Sequence, residues 1–367
     1  MHLAILIGHF PPAAYGGAEL QAEAWAKRLA RRHTVTVITR ADPVRPPGRE
    51  QRDGFDVVRL PVSKLPGWRT FADLAAIERA LAALEPRPAL ALCFQTFISG
   101  LAGTRAGRRL AIPAIVWIRG EAEYRLGASR FHGWLSPRVW REAAGVLVQS
   151  ETNRRELLQE LDRHAPDGVL HVRERLDVVE NGLELPVPSP VPAHGRVLAV
   201  GRLIEDKGMD VAIAACARAG VPLTIAGEGP ERVALEALAR RLGADVEFAG
   251  HVRPEGMHER YAAARVVVLA ARRGEGLPNV LLEGLAHGRP VVATPCAGTR
   301  DLIEDGVNGV LVPPGDVEAL AGALARLTSD PSAAARLAAA GRATAERFAW
   351  DRVEPKLEAA LARWSQG

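Results

Sequence analysis

Short aliphatic runs recur along the whole chain. HLAILIG, TVTVIT, DVVRL, ALALCF, AIVWI and GVLVQS occupy the first half, and RVLAVG, VPLTIAG, DVEFAG, ARVVVLA and PVVAT the second. Such β-branched and aliphatic runs predict strands, most of them covered on both faces. Several are separated by Ala-, Leu- and Arg-rich stretches of helical period, among them AELQAEAWAKRLARR and FADLAAIERALAAL. Strand and helix alternating from end to end predict an α/β protein of parallel sheets layered between helices. Between the halves lies GLELPVPSPVPAHG, residues 182–195, carrying Pro186, Pro188, Pro190 and Pro192. Proline removes backbone donors and disfavours helix in the residue before it, so this segment reads as an extended linker. The expected architecture is two Rossmann-like domains, 1–185 and 186–345, followed by a helix over 346–367. That tail, WDRVEPKLEAALARW, opens with the capping-box-like pair Asp351 and Glu354, and its ends, Trp350 and Trp364, call for packing partners. No repeat beyond the βα units themselves is visible.

Composition narrows the class. With 367 residues, 48% of them hydrophobic and 25% charged, the chain is too long for one ordinary domain and too apolar for a disordered one. No apolar run reaches a membrane span, and MHLAILIGHF lacks the basic start of a signal peptide, so it reads as a buried strand. Cys93, Cys216 and Cys296 are far apart and show no metal spacing, which predicts reduced thiols in a cytoplasmic protein. The net charge is +4 with a pI near 9.2, and nearly all of the positive charge is arginine. A basic balance suits nucleic acid, phosphorylated ligands or an anionic membrane, and equally a merely solvated surface.

In parallel sheets of this kind, ligands bind beyond the carboxyl ends of the strands, here in the expected cleft between the two domains. The loops after the strands are therefore where chemistry is sought. After RVLAVG comes RLIEDKGMD, in which Arg202 and Lys207 bracket a turn leading into a helix. A helix start offers unpaired N–H groups and a positive dipole end. Two fixed cations beside it would suit a diphosphate, whose charge grows as the bond to it breaks. An ordinary charged loop would read the same way. Next, TIAGEGPER places Gly227 and Gly229 in a turn, but Arg232 stands where a dinucleotide fingerprint needs glycine. GEGLPNVLLEG, residues 274–284, sets Glu275 in a loop after a strand and Glu283 on the helix that follows Pro278. Carboxylates at both ends, with the N–H groups of Leu277, Asn279 and Val280 between them, would match a ligand with hydroxyls at its ends and phosphates in its middle. A solvated Glu275 and a capping Glu283 is the plainer alternative. At the N-terminus, GHFPPAAYGGAEL joins the first strand to the first long helix, and Gly16 and Gly17 allow a ligand close to the backbone.

Together these segments resemble the family-4 retaining glycosyltransferases of the GT-B fold, two Rossmann-like domains facing each other across a cleft. The resemblance covers most of the chain: PPAAYGGAEL, ENGLEL, GRLIEDKG, AGEGPER, FAGHV, EGLPNVLLEGLAHGRPVVAT and IEDGVNGVLVPPGD. It implies a hexosyltransferase that takes a UDP- or GDP-sugar donor and needs no cofactor and no metal. Arg202, Lys207 and Glu275 would be the catalytic set, with the two cations holding the diphosphate and Glu275 the sugar. Gly16, Gly17, Gly229, Gly276, Leu277, Pro278, Asn279 and Val280 would line the donor, Glu283 would take the ribose, and His251 and Val252 would flank the base. The tail helix would cross back onto the N-terminal domain.

Two departures from the family pattern stand out. Arg119 occupies the position where many relatives have histidine, with Glu121 and Glu123 beside it, so Arg119 and Glu121 are the acceptor-side candidates. Asp301 stands near the place of a glutamate that relatives often carry. From Arg105 to Arg141, arginines interleave with Trp117, Tyr124, Phe131, Trp134 and Trp140. That pattern fits either a peripheral contact with the inner membrane surface, bringing a lipid-linked glycan, phospholipid or small sugar as acceptor, or plain packing. No nucleic-acid fold signature accompanies it, so no nucleic-acid partner is expected. The alternatives kept are a nucleotide-sugar epimerase or sugar-phosphate synthase on the same fold, and a catalytically silent binding protein.

Overall fold

The computed structural model describes residues 1–12, 16–62, 69–273, 276–296 and 298–365. The chain divides into two compact units, Met1–Glu180 with Glu354–Gly367, and Asn181–Val353.

The first unit is built on β1 (His2–Leu6), β2 (Thr34–Arg40), β3 (Gly48–Arg52), β4 (Phe55–Leu60), β5 (Leu90–Phe94), β6 (Ala114–Trp117), β7 (Gly145–Val148) and β8 (Leu176–Val178). Their order across the sheet is β3-β4-β2-β1-β5-β6-β7-β8, parallel except for the β3–β4 hairpin. β1, β5, β6 and β7 are buried along their whole length, as their apolar sequences require, and the one polar exception, His2, meets Thr36 Oγ1 at 2.9 Å. Chain order reverses at β1, with β2 on one side and β5 on the other. The two loops at this switch point are the ones leading to Gly16 and to Gln95.

The second unit repeats the plan with β9 (Val197–Val200), β10 (Leu223–Ala226), β11 (Val246–Gly250), β12 (Val266–Leu269), β13 (Val291–Ala293) and β14 (Val310–Leu311). The order is β11-β10-β9-β12-β13-β14, all parallel. Here the switch lies between β9 and β12, so the loops beginning at Gly201 and Ala270 emerge side by side. Arg289 anchors the proline-rich segment to this unit. Its fully buried guanidinium donates to the carbonyls of Ser189 and Pro190, at 2.5 and 3.0 Å, and to Ser189 Oγ at 2.7 Å.

Strands β3, β8 and β14 are additions to the sequence reading. GREQR has no apolar alternation and pairs as an exposed antiparallel edge, while β8 and β14 are edge strands of three and two residues. The last helix, Trp350–Trp364, starts in the second unit, where Trp350 lies against Gly182 so closely that a Cβ there would sit 2.2 Å from the indole. From Glu354 onward it belongs to the first unit. Within that unit Glu354 pairs with Arg28 at 3.2 Å, Glu358 with His33 at 3.0 Å and Lys356 with Glu180 at 2.7 Å.

Candidate functional site

The second unit gathers its candidates on the loops beyond β9, β10, β11 and β12. Arg202 is exposed, two residues after β9. Lys207 is half-buried in the short turn Glu205–Lys207, whose closing amide donates to the Ile204 carbonyl. Gly208 follows in the left-handed region (φ 63°), and a Cβ there would lie 2.0 Å from the Ala270 carbonyl oxygen. Only glycine lets this turn press against the end of β12 and start the Met209–Ala219 helix. Gly229 serves a similar approach, since its Cβ would fall 2.3 Å from the Leu203 carbonyl oxygen. The turn after β10 thus leans on the turn after β9, joined also by Leu203 N–H to Glu228 O at 2.9 Å and Glu231 N–H to Leu203 O at 3.1 Å. His251 is exposed just past β11 and Val252 is half-buried.

Glu275 lies outside the described residues. Directly after it, Gly276, Leu277 and Pro278 are buried, and Pro278 caps the Asn279–Ala286 helix. Gly276 is held by Gly298, whose Cβ, if it had one, would overlap the Gly276 carbonyl oxygen. The cap is fixed from a distance by Asn181. Its side-chain amide donates to the Leu277 carbonyl at 3.0 Å and to Asn279 Oδ1 at 2.7 Å. The carbonyl of Pro278 takes the amides of Leu281 and Leu282, so Asn279 and Val280 are the leading N–H positions of the helix. One turn on, Glu283 is only partly accessible. Burial pushes its carboxyl up to about 7, moderated by the neighbouring Tyr261 hydroxyl. A carboxylate so placed strongly favours a ligand that donates hydroxyl hydrogens to it. One turn further, on the same face, His287 donates from Nδ1 to the Glu283 carbonyl at 2.7 Å, lies 2.9 Å through Nε2 from His258 Nδ1, and stacks on Tyr261.

In the first unit Gly16 is the N-cap of the Gly17–Leu29 helix, and Glu19 folds back over it. Arg119, two residues past β6, is buried. It is 9% exposed, its guanidinium lying 4.8 Å from the Trp117 ring centre and 5.3 Å from that of Phe94. Burial lowers its pKa to about 9, opposed by the charges of Glu123 and Glu19, so it remains a cation at neutral pH. Glu121 is buried, accepts from Arg125 Nε at 2.5 Å, and lines a cavity of about 530 Å³ with Tyr124, Glu156, Gln159 and His164. Glu123, marked by the sequence only as a neighbour of Arg119, organises this end of the sheet. Its buried carboxylate accepts the amides of Thr96 at 2.5 Å, Arg119 at 2.7 Å and Gly120 at 3.1 Å. It thereby ties the turn after β5 to the turn after β6. The former is strained, with Gln95 at φ 79° and Ile98 at φ 57°. Of the five aromatics between Arg105 and Arg141, Trp117, Tyr124 and Trp140 are core residues, and Phe131 and Trp134 are exposed.

Comparison with known proteins bears on the family and the fold. Residues 16–172 match the family described as glycosyl transferase 4-like domain, and residues 194–330 the family described as glycosyl transferases group 1. The chain is 32% identical over 382 residues to a D-inositol 3-phosphate glycosyltransferase of Acidothermus cellulolyticus, covering 92% of this chain and 83% of that protein. It is 39% identical over 165 residues to a lipopolysaccharide core biosynthesis glycosyltransferase of Rhizobium meliloti, a match spanning 44% of this chain and less than half (46%) of that protein. Among solved structures, a sucrose-phosphate synthase of Thermosynechococcus elongatus superposes with a TM-score of 0.84 at 22% identity, covering 99% of this chain and 98% of that one. The Anabaena protein HepE, in complex with UDP and glucose, superposes with a TM-score of 0.79 at 21% identity, covering 99% of each chain.

Proposed function

The chain belongs to the group 1, 4-like glycosyltransferases of the GT-B fold, and from that premise we propose that it moves a hexosyl unit from a UDP-sugar to an acceptor hydroxyl with retention of configuration. The observation that carries the reading is local to the second unit. The Lys207 turn and the loop leading to the Asn279–Ala286 helix emerge side by side at the switch between β9 and β12, where α/β sheets bind ligands. UDP is favoured as the nucleotide because it is what HepE holds.

In the proposed reaction the bond between the anomeric carbon and the diphosphate oxygen breaks, and its electron pair stays with the diphosphate. The acceptor oxygen bonds to the same face of the anomeric carbon, and its proton passes to the departing phosphate. Arg202 and Lys207 stabilise the charge that grows on that group, the role that fixed cations fill best where water is scarce. The leading amides at Asn279 and Val280 add helix-start donors. Glu283 accepts the ribose hydroxyls, and Glu275 is assigned the hexose by its place in the sequence motif. Gly16, Gly17, Arg119 and Glu121 are proposed as ligand-binding groups of the first unit, the last two on the acceptor side. With cations doing this work, the reaction is proposed to need no metal and to proceed in EDTA.

The exposed face of the Arg130–Glu142 helix supports an acceptor at a membrane. Phe131 and Trp134 are 60% and 54% exposed, Arg138 lies 4.5 Å from the Trp134 ring centre, and Arg130 and Arg141 of the same helix are also exposed. Apolar rings among arginines suit an anionic lipid surface. Among the described residues no helix is long and apolar enough to cross a membrane.

The test is UDP release from UDP-glucose, UDP-galactose and UDP-N-acetylglucosamine in EDTA, with GDP-mannose as the control. Proton NMR then reads the anomeric configuration of the product. Release from one UDP-sugar with the configuration kept supports the proposal. Release from none, or an inverted product, contradicts it.

A further inference from the structure

Two adjacent arginines, Arg272 and Arg273, lie in the loop that follows β12, close in sequence to the candidate donor residues. The geometry commits them elsewhere. Arg272 forks onto Asp210, Nη1 to Oδ1 at 2.8 Å and Nη2 to Oδ2 at 2.7 Å. Its Nη1 also donates to the Glu205 carbonyl at 2.8 Å, and its backbone amide to the Asp206 carbonyl at 2.8 Å. Arg273 Nε donates to Asp206 Oδ1 at 2.8 Å. All five bonds run from residues 272–273 to residues that flank Lys207 on both sides. Gly208, pressed against Ala270, closes the same seam. We propose, resting on the donor-site reading above, that Arg272 and Asp210 form a clasp that sets Lys207 in register with the start of the loop after β12, making both of them positioning residues rather than donor contacts.

The chemistry explains why a fork is used here. Asp210 stands three residues after Lys207, in the first turn of the Met209–Ala219 helix, and an unengaged carboxylate there would compete with phosphate for the lysine ammonium. Arg272 occupies both of its oxygens in the planar, bidentate manner that lysine cannot reproduce. The clasp therefore does two things at once. It removes a competing anion, and it fixes the spacing between the Lys207 turn and the start of the loop after β12.

The experiment measures UDP dissociation constants by calorimetry for wild type, Arg272→Lys, Asp210→Asn, Lys207→Ala, and each clasp variant combined with Lys207→Ala. Melting of the free proteins and amide exchange at Lys207 and Gly208 are followed alongside. The clasp predicts that Arg272→Lys and Asp210→Asn each weaken UDP by roughly tenfold, the scale expected when a binding group is misplaced. Added to Lys207→Ala, either should change affinity by less than about twofold, because both act through the lysine. Were Asp210→Asn to leave UDP binding unchanged or tighter while Arg272→Lys weakened it, Arg272 would be a direct phosphate ligand and the clasp wrong. Lower melting temperatures with unchanged UDP affinity would make the pair merely structural and also overturn it. Should wild type bind no UDP, the donor-site reading fails by itself. The clasp is then judged on exchange at Lys207 and Gly208, which both variants must accelerate for it to stand.

Discussion

Replacing Glu283 by glutamine separates what the fold wants from what the ligand wants. In the folded protein burial raises the Glu283 carboxyl from the ordinary 4.5 to about 7. One pH unit of such displacement is worth about 1.4 kcal/mol, so the ionised form costs the fold up to roughly 3 kcal/mol above neutrality. The sign follows from proton counting. Between about 4.5 and about 7 the folded state holds a proton that the unfolded chain has released, so stability falls as pH rises through that window. Glutamine carries no charge and escapes this cost, while giving up the contact between the Tyr261 hydroxyl and a carboxylate. The net expectation at pH 8.5 is a gain of roughly 1–2 kcal/mol, or roughly 3–6 °C for a unit of this size. At pH 5 the wild-type carboxyl is largely protonated and the two proteins should melt nearly together. UDP affinity should move the other way, weakening about tenfold in Glu283→Gln, because the charged acceptor proposed for the ribose hydroxyls is gone. Thermal melts of both proteins at pH 5 and 8.5, with and without UDP, read all of this. A wild type more stable than Glu283→Gln at pH 8.5, or a stability gap that does not shrink on acidification, would refute the argument.

Other perturbations probe the remaining parts. Gly229→Ala puts a Cβ 2.3 Å from the Leu203 carbonyl, so the two turns must separate. The expected loss is roughly 1–3 kcal/mol, with weaker UDP binding, measured by denaturant melts and calorimetry. Glu123→Gln must set an amide against one of three backbone N–H groups, and should cost roughly 1–3 kcal/mol. Because Glu123 lies in the first unit, UDP affinity should be unchanged and turnover reduced, a split that kinetics in parallel with calorimetry would show. Phe131→Ser with Trp134→Ser should abolish co-sedimentation with phosphatidylglycerol vesicles while leaving UDP release unchanged. Persistence of vesicle binding would remove the membrane face from the account.

How much was legible in the sequence follows from how local each signal is. The central parallel strands announce themselves because burial on both faces leaves no room for polar positions, as in VLAV of β9 and VVVL of β12. Edge strands such as GREQR carry no such mark. Arg202, Lys207 and Glu283 are candidates that sequence can nominate because each sits in a short contiguous motif. Asn181, which reaches Leu277 and Asn279 across nearly a hundred residues, could not be paired with them in advance, and neither could Arg272 with Asp210. Arg119 illustrates the other difficulty. Its position is visible, but of the two rings that enclose it only Trp117 is a neighbour in the chain, and Phe94 is brought beside it by the register of β5 on β6.

The central claim is that the β9–β12 switch point of the second unit binds a nucleoside diphosphate through Lys207. Titrating UDP into wild type and Lys207→Ala by calorimetry, in EDTA, tests it most directly. The account predicts one site per chain in the wild type, with affinity lowered by at least about tenfold in the variant, since a charge-assisted contact to phosphate is removed. Equal binding by both proteins, or no binding by the wild type, would contradict it.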